Sequence, residues 1–412
     1  MAKKVEIEQK EIEAPYELPE GWKWVRLGDV VETSKEKTEN FSGTMKYIGL
    51  EHIEPNGKIS GYGSASEIQS LKNVFHQNQI LYGKLRPYLN KHDIADFDGV
   101  CSTDILVFNA KDGFSNKYVN YFFNLPFFID FAVSNSKGIN LPRVSESTIL
   151  NISFPLPPTL EEQQRIVNRI ESMFAKLDEA KEKAQDVVDS FETRKAAILH
   201  QAFTGNLTAK WRKENGVADD SWEEKSLGEL LFPMTSKIPS GETFRYIDID
   251  AIDNANQIVE SPKLIEVSKA PSRASRGLIE NDVLFSMVRP YLKNIAVIDG
   301  SLSDCIASTG FYVCRCKPEM NHLYLYNLLC SKDAIDYLMQ FMKGDNSPSI
   351  RKDDLLGMMI NLPSLPEQQE IVRILDAVLE KESRAKEAAQ IVLDQIALLK
   401  KSILARAFRG EL

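Results

Sequence analysis

The feature that most constrains this 412-residue chain is an internal duplication, because a repeated sequence decides the number of domains. Short blocks from the first half return in the second half in the same order, about 200 residues later. The block at residues 86–89 (RPYL) returns unchanged at 289–292, and residues 162–167 (EQQRIV) return as 367–372 (EQQEIV). Two further pairs are residues 21–29 with 221–229 and residues 202–207 with 407–412. The chain therefore contains two copies of one unit of ordinary domain size.

The first part of each copy predicts a compact α+β globule. Short apolar runs are separated by Gly, Asn, Asp and Pro, a pattern that is typical of buried strands bounded by turns. The runs that we predict as strands are residues 79–82, 104–108, 282–285 and 310–313. Aromatic-rich segments at residues 118–131 and 323–342 predict helices between the strands.

The second part of each copy predicts a long helix that begins after a proline-rich segment, 157–158 in one copy and 363–366 in the other. Apolar residues alternate at steps of four and three over about five heptads, which indicates a coiled-coil seam. The two seams match in phase, apart from Leu177 with Glu382 and Arg194 with Leu399, where the polarity differs. The predicted seam consists of Ile166, Ile170, Met173, Leu177, Val187, Phe191, Ile198, Ile371, Leu375, Val378, Val392, Ile396, Leu399 and Ile403.

Because the two seams match, each helix is the simplest partner for the other. An antiparallel pair would set the two globules at opposite ends of a rod about 60 Å long, related by an internal pseudo-twofold axis. The alternative is that each helix packs separately on its own globule. A strict, narrow stripe argues against that alternative, since helices packed on a globule usually show a wider apolar face.

Several classes of function lack their sequence signatures. We find no phosphate-binding loop, no His-Glu-x-x-His and no Gly-x-Ser-x-Gly, and the five histidines do not recur between the copies. Residues 124–127 (NLPF) only faintly resemble the Asn-Pro-Pro-Tyr/Phe signature of adenine methyltransferases. The five cysteines suggest neither a disulfide framework nor a metal site. We therefore expect no catalytic residue, no metal and no cofactor in this chain.

The order of these parts resembles the specificity subunit of a Type I restriction-modification system. The resemblance lies in the opening Gly-Trp…Leu-Gly-Asp, the Arg-Pro-Tyr block, the Glu-Gln-Gln-x-Ile-Val helix entrance and the Ala-Phe-x-Gly-x-Leu ending. It implies two target recognition domains, alternating with two helices that form an antiparallel coiled coil. The implied division is 1–17 (N-terminal extension), 18–155 (first recognition domain), 156–207 (central helix), 208–220 (linker), 221–362 (second recognition domain) and 363–412 (C-terminal helix).

In that family each recognition domain reads one half of a split sequence in double-stranded DNA. The coiled coil sets the unread spacer and docks two methyltransferase subunits, which use S-adenosylmethionine. Two translocase-nuclease subunits add restriction. The specificity subunit itself is not an enzyme. Because the two globules differ in sequence, the resemblance implies an asymmetric, bipartite target.

The residues that would contact DNA are predicted from chemistry, since phosphates attract Lys and Arg while base edges are read by Arg, Lys, Asn and Gln. Such residues cluster around the two Arg-Pro-Tyr-Leu blocks and in two matching loops before the helices, 136–140 and 343–347. Arg86 and Arg289 recur, so an alternative is that they only anchor a turn. The candidates are Lys84, Arg86, Tyr88, Asn90, Lys91, His92, Lys137, Asn140, Arg143, Arg273, Arg276, Arg289, Tyr291, Lys293, Asn294, Lys343, Asn346, Ser347, Ser349, Arg351 and Lys352.

The overall charge limits how such a protein could hold DNA. The net charge is −9, and nonspecific affinity comes mainly from neutralised phosphates, so we expect the isolated chain to bind DNA weakly. The N-terminus has no apolar core like that of a secretory signal, and no stretch is apolar enough to span a membrane, so we expect a cytoplasmic protein. A duplicated scaffold that binds proteins without DNA specificity is the alternative function. A self-contained methyltransferase or nuclease would require a cofactor loop or a metal cluster.

Overall fold

A computed structural model describes residues 14–41, 44–67 and 70–412. Most of the predicted N-terminal extension, residues 1–13, lies outside the described residues. The chain forms two compact units, Met1–Gln185 with Gln390–Leu412 and Asp186–Ala389. Each unit thus contains one globule, the first part of one long helix and the last part of the other.

The first unit contains eleven of the labelled strands and most of α5. The strands are β1 (Lys23–Arg26), β2 (Val31–Thr33), β3 (Lys37–Thr38), β4 (Lys46–Ile48), β5 (Gly63–Ser64), β6 (Lys72–Phe75), β7 (Ile80–Gly83), β8 (His92–Ile94), β9 (Gly99–Cys101), β10 (Ile105–Ala110) and β11 (Ser153–Leu156). The helices are α1 (Leu27–Val30), α2 (Asn116–Phe122), α3 (Pro126–Ser134), α4 (Glu146–Leu150) and α5 (Leu160–Asp189).

The second unit repeats most of this order of elements, but among its described residues it lacks a counterpart of the short strand β3 and has an additional strand pair. Its first helices are α6 (Phe191–Phe203) and α7 (Ala209–Asn215). The strands are β12 (Glu223–Ser226), β13 (Leu231–Phe232), β14 (Thr243–Ile247), β15 (Ile252–Asp253), β16 (Ile258–Val259), β17 (Lys263–Glu266), β18 (Ala274–Gly277), β19 (Val283–Ser286), β20 (Ile295–Val297), β21 (Ile306–Ser308), β22 (Phe311–Cys316) and β23 (Met359–Leu362). The remaining helices are α8 (Leu227–Leu230), α9 (His322–Cys330), α10 (Lys332–Met339), α11 (Lys352–Leu356) and α12 (Leu365–Ala407).

One sheet of the two globules matches strand for strand, and a second sheet matches in its parallel pair. One sheet has the order β2-β10-β7-β8 in the first unit and β13-β22-β19-β20 in the second. A second sheet contains the parallel pair β4 and β9, matched by the parallel pair β14 and β21. All four predicted strands are present as β7, β10, β19 and β22, which confirms the α+β class. Their apolar runs are buried on both sides, as the burial of Ile80, Leu81, Val283 and Leu284 shows.

Each predicted aromatic-rich helix is in fact two helices. In the first globule the break precedes Pro126, the first residue of α3, because proline tolerates the first helical position but not the helix interior. In the second globule, Ser331 ends α9, and its hydroxyl accepts a hydrogen bond from the amide of Ala334 at the start of α10. A capping serine therefore does at this position what proline does in the first copy.

The two long helices run antiparallel within each unit. In the first unit, Lys400 Nζ lies 2.6 Å from Asp178 Oδ1 and 4.9 Å from the Phe174 ring centroid. In the second unit, Arg194 Nε donates to Glu382 Oε2 at 2.7 Å. In the first unit Arg165 Nη2 also donates to the Leu412 carbonyl at 2.9 Å. In the second, Lys386 Nζ lies 4.4 Å from the Phe191 ring centroid. Within each unit, rising residue numbers on one helix therefore meet falling numbers on the other. Arg194 and Glu382, two of the four residues at which the seams differ in polarity, are thus each other's partners.

The central helix is interrupted, whereas α12 runs without a break over 43 residues. The break falls at Ser190, between α5 and α6. The Ser190 hydroxyl donates to the Asp186 carbonyl and accepts from Arg194, a local bonding pattern that bends helices. The predicted linker also contains a helix, α7, whose Arg212 is buried.

Burial follows the predicted seam over most of its length but departs from it in the last part of α12. Ile166, Ile170, Ile371 and Leu375 are at most 1% exposed. The remaining predicted positions from Met173 to Ile198 are half-buried, as are Val378 and Ile403, and Ile396 is buried. Val392 and Leu399, however, are 39% and 47% exposed. The half-buried positions there are Leu393 and Lys400, one residue later, because a straight helix of 3.6 residues per turn drifts away from a strict 3.5-residue repeat.

The recurrent Glu-Gln-Gln entrance holds each helix to its globule through its first glutamine. Gln163 Oε1 accepts a hydrogen bond from the Ser115 amide at 3.0 Å, at the start of α2. In the second unit, Gln368 Oε1 accepts from the Asn321 amide at 2.8 Å, and its Nε2 donates to the carbonyls of Glu319 and Pro363. Both glutamines are at least 98% buried, and their amides supply partners for backbone groups where the helix meets the globule.

The recurrent Ala-Phe ending packs each helix into the globule beside it. The Phe408 ring, at the end of α12, lies 4.6 Å from the ring of Tyr118 in the first globule. The Phe203 ring lies 5.3 Å from Tyr324 in the second. Tyr16, in the predicted N-terminal extension, donates a hydrogen bond to the Phe408 carbonyl at 3.0 Å. Each globule therefore packs on the start of one long helix and on the end of the other.

Candidate nucleic-acid interface

The Arg-Pro-Tyr-Leu blocks form the same tight turn in both globules. Arg86 and Arg289 adopt left-handed backbone angles, with φ of 52° and 49°, and each is followed by a short 3₁₀ turn. Such angles are costly for residues other than glycine and persist where the surrounding structure imposes them. Here the amides of Arg86 and Arg289 donate to the carbonyls of Pro142 and Pro348, at 2.7 and 2.8 Å.

Those prolines lie just after the two matching loops that precede the helices. In the first loop, Lys137 and Arg143 exchange two backbone hydrogen bonds of 2.8 Å, and in the second Lys343 and Ser349 exchange two of 3.0 Å. A glycine with a positive φ lies near the start of each loop. The φ is 107° at Gly138 and 101° at Gly344. The structure therefore brings together, in each globule, the two sequence clusters that we predicted separately.

The candidates of the first globule divide by exposure. Arg86, Tyr88, Lys137, Asn140 and Arg143 are exposed, and Lys84 and Lys91 are half-buried. Asn90 and His92 are buried, at 1% and 0% exposure, and point to internal partners. Asn90 Nδ2 donates to the Phe123 carbonyl at 3.0 Å, and His92 Nδ1 lies 2.8 Å from Asn120 Oδ1. Burial lowers the pKa of His92, so its ring stays neutral, and these two residues support the scaffold.

The candidates of the second globule divide in the same way. The exposed residues are Arg273, Arg289, Tyr291, Lys343, Asn346, Ser347, Arg351 and Lys352. Arg276, Lys293 and Ser349 are half-buried, and Asn294 is buried. Arg289 Nη2 donates to the Asn346 carbonyl at 2.7 Å, so this guanidinium holds the loop as well as facing solvent. Lys293 Nζ donates to the Cys330 carbonyl at 3.0 Å, which assigns it to the scaffold.

Two candidates that are far apart in sequence meet in one cavity. Arg273 and Asn294 line an open cavity of about 570 Å³ together with Asp248 and Asp250. Arginine, asparagine and carboxylate groups are the types that read base edges.

Arg143 has a carboxylate partner that sequence reasoning missed. Its Nε and Nη2 donate to the two oxygens of Asp104 at 3.1 and 3.2 Å. The hydrogen bonds to Asp104 raise the pKa of Arg143, and the pair fixes the guanidinium beside the loop. The Asp104 carbonyl also accepts from the amide of Lys84, so one residue joins both clusters. No pattern in the sequence indicated Asp104, because it lies outside both clusters.

In the part of the chain that the structure describes, no group of three or more His, Cys, Asp or Glu side chains could hold a metal ion. The five cysteines are free thiols. No helix among the described residues is both long and apolar enough to cross a membrane.

Comparison with known proteins defines the class of protein. The family model described as "Type I restriction modification DNA specificity domain" matches twice, over residues 19–188 and 220–392. The chain belongs to this family and carries its domain in both copies. The members are specificity subunits, which are the non-catalytic components of their restriction-modification systems.

Individual relatives agree with that assignment. The specificity subunit of the Type I restriction enzyme EcoDI of Escherichia coli is 33% identical over 206 residues, which cover 48% of this chain and 45% of the relative. The chain thus spans less than half of that relative's length. The MjaVIII specificity subunit of Methanocaldococcus jannaschii is 25% identical over 96% of this chain and 94% of the relative. The crystal structure of the HsdS subunit from Thermoanaerobacter tengcongensis matches with a TM-score of 0.71 and 24% identity, over 97% and 99% of the two chains.

Proposed function

We propose that the two globules each read one half of an asymmetric, bipartite DNA target, as the specificity subunit of a Type I restriction-modification complex. The observation that carries this proposal is the matched pair of closed loops beside the two Arg-Pro-Tyr turns. The loops share a backbone geometry but present different side chains at their tips, Ile139 and Asp345 among them. A shared scaffold with different exposed groups is what two readers of different half-sites require.

The exposed candidates form the proposed interface. They comprise Arg86, Tyr88, Lys137, Asn140 and Arg143 in the first globule, and Arg273, Arg289, Tyr291, Lys343, Asn346, Ser347, Arg351 and Lys352 in the second. The half-buried Lys84, Lys91, Arg276 and Ser349 flank it. Lysine and arginine would hold phosphates, while asparagine suits adenine.

We further propose that the paired helices set the spacer and dock two methyltransferase subunits, which supply S-adenosylmethionine chemistry, with two translocase-nuclease subunits completing the complex. The support for docking is an exposed apolar stripe on α12. Ile391, Val392, Leu398 and Leu399 are 56%, 39%, 66% and 47% exposed. Exposed apolar patches of this kind mark protein interfaces. Because the proposed target is chromosomal DNA, we place the protein in the cytoplasm.

The stripe can be tested by substitution of Leu398 and Leu399 with serine in the full chain. We expect a tagged methyltransferase subunit to co-purify with the wild-type chain and to be lost from the variant. The control is Glu192→Ser with Thr193→Ser, at exposed positions on α6. Equal recovery from both variants would assign docking to another surface.

The function is tested by sequencing adenine methylation in host DNA with and without this chain. We expect one asymmetric bipartite motif to disappear when the chain is removed. An exchange of residues 136–143 for another specificity subunit's loop should change one half of the motif and leave the other half intact. If methylation is unchanged while the chain and its partners are expressed, a protein scaffold without DNA specificity is the better account.

A further inference from the structure

The tip of the first loop carries an apolar side chain that folding does not explain. Ile139 is 99% exposed, the highest value for a large apolar residue in the described part of the chain. Leu141, two residues later, is 46% exposed. Burial of an isoleucine stabilises a protein by about 1.5–3 kcal/mol, and Ile139 obtains none of this from the fold.

The loop holds Ile139 outward on a rigid base. The reciprocal backbone hydrogen bonds between Lys137 and Arg143 close the loop, and the Arg86 amide fastens it at Pro142. Gly138 has a φ of 107°, and a Cβ there would lie 3.1 Å from the Leu141 carbonyl oxygen. The turn thus requires glycine directly before the exposed isoleucine, and the tip cannot fold back without breaking these contacts.

The matched loop of the second globule carries a different kind of residue at its tip. Gly344 has nearly the same φ, 101°, and is followed by Asp345 and Asn346, where the first loop has Ile139 and Asn140. The asparagine is shared and the tip residue is not. The tip is therefore a position at which two loops of the same construction present opposite chemistry, as they also do at Leu141 and Ser347.

We propose that Ile139 determines specificity in the first half-site, by packing against the methyl group of a thymine in the major groove. This inference rests on the proposed function, in which the loop faces DNA. The thymine methyl is the apolar group that base edges offer in the major groove, and apolar side chains read it by contact. Lys137 beside the tip suits a phosphate, and Asn140 suits a neighbouring adenine.

The test uses the assembled methyltransferase complex purified from cells that express this chain. DNA duplexes carry the target with each thymine of the first half-site replaced in turn by uracil, which lacks the methyl group. We expect wild-type affinity to fall about fourfold at one thymine, the equivalent of ~0.8 kcal/mol for one buried methyl group. Ile139→Ala should weaken binding to the thymine target by about tenfold and should no longer distinguish uracil from thymine at that position.

The matched control is Leu264→Ala, an equally apolar change at a 71% exposed residue of β17, and it should leave affinity unchanged. If Ile139→Ala binds like wild type, or if its loss of affinity is the same whether or not each methyl is present, the inference is overturned. The proposed function is tested separately. Specific binding by the wild-type complex and the motif change after the loop exchange do not depend on Ile139. If the wild-type complex shows no specific binding at all, the proposed function itself is contradicted.

Discussion

At the scale of single residues, the two glutamines of each Glu-Gln-Gln entrance lie in different environments. The first glutamine enters the globule, while the second stays in solvent. That difference depends on where the start of α2 or α9 lies, which is a tertiary contact. Gln368 is buried and Gln369 is exposed, although they are adjacent and identical.

This pair provides a matched prediction. Gln368→Ala should lower the free energy of unfolding of the second unit by about 1–3 kcal/mol, because it leaves the buried Pro363 carbonyl and two partly buried backbone groups without partners. Gln369→Ala should change it by less than about 0.5 kcal/mol. Urea titration followed by circular dichroism measures both. Equal effects of the two changes would show that the hydrogen bonds of Gln368 contribute nothing.

The candidate site shows a limit of sequence reasoning. Chemistry and position predicted two loops and two turns as candidate DNA contacts, and one loop lies beside one turn in each globule. The sequence could not show which candidates are exposed, as Lys137 is, and which are buried against α2, as His92 is. Whether Lys137 or Arg143 contacts DNA stays a prediction.

At the scale of elements, the strands were predictable because apolar runs between turn residues report burial directly. Helix ends were less predictable. The break at Ser190 depends on the hydrogen bonds of one side chain. The division of residues 116–134 into two helices depends on one proline. The seam was right where a strict heptad and a real helix coincide, near Ile371 and Leu375, and it departed from the structure at Val392 and Leu399.

The Arg194–Glu382 pair gives a prediction at this scale. Arg194→Leu alone should destabilise the second unit by about 1–2 kcal/mol, because Glu382, only 25% exposed, loses its partner. The double variant Arg194→Leu with Glu382→Leu should recover most of that loss, since two leucines suit a coiled-coil seam. A double-mutant cycle of unfolding free energies gives the coupling. If the two losses simply add, the pair does not interact.

At the scale of the whole molecule, the net charge of −9 argues that this chain does not hold DNA alone. We predict a dissociation constant of about 1 µM or weaker for the isolated chain on its target at about 150 mM salt, which is the range of nonspecific binding. With the methyltransferase subunits present, we expect nanomolar affinity. Fluorescence anisotropy on one labelled duplex measures both, and nanomolar binding by the isolated chain would contradict the prediction.

The paired helices give a second prediction at this scale. Insertion of one heptad into both α5 and α12 lengthens each helix by about 10 Å, or about three base pairs of DNA. The preferred spacer should therefore grow by about three base pairs, as measured by selection of bound duplexes from a library of spacer lengths. An unchanged spacer would show that the helices do not set it. A heptad placed in only one helix disturbs the pairing and serves as the control.

The Arg194–Glu382 pair also has a consequence for how such genes can evolve by recombination. In the observed register, copy one meets copy two, and Arg194 faces Glu382. In a recombinant with two first copies, Leu177 would stand where Glu382 stands, because these positions match between the copies, and each Arg194 would lack a carboxylate. We expect such a recombinant to unfold at lower urea than the same protein with both arginines changed to leucine. This ion pair thus favours the pairing of a first copy with a second copy. Replacement of Arg194 by leucine should allow either copy to pair with a new partner.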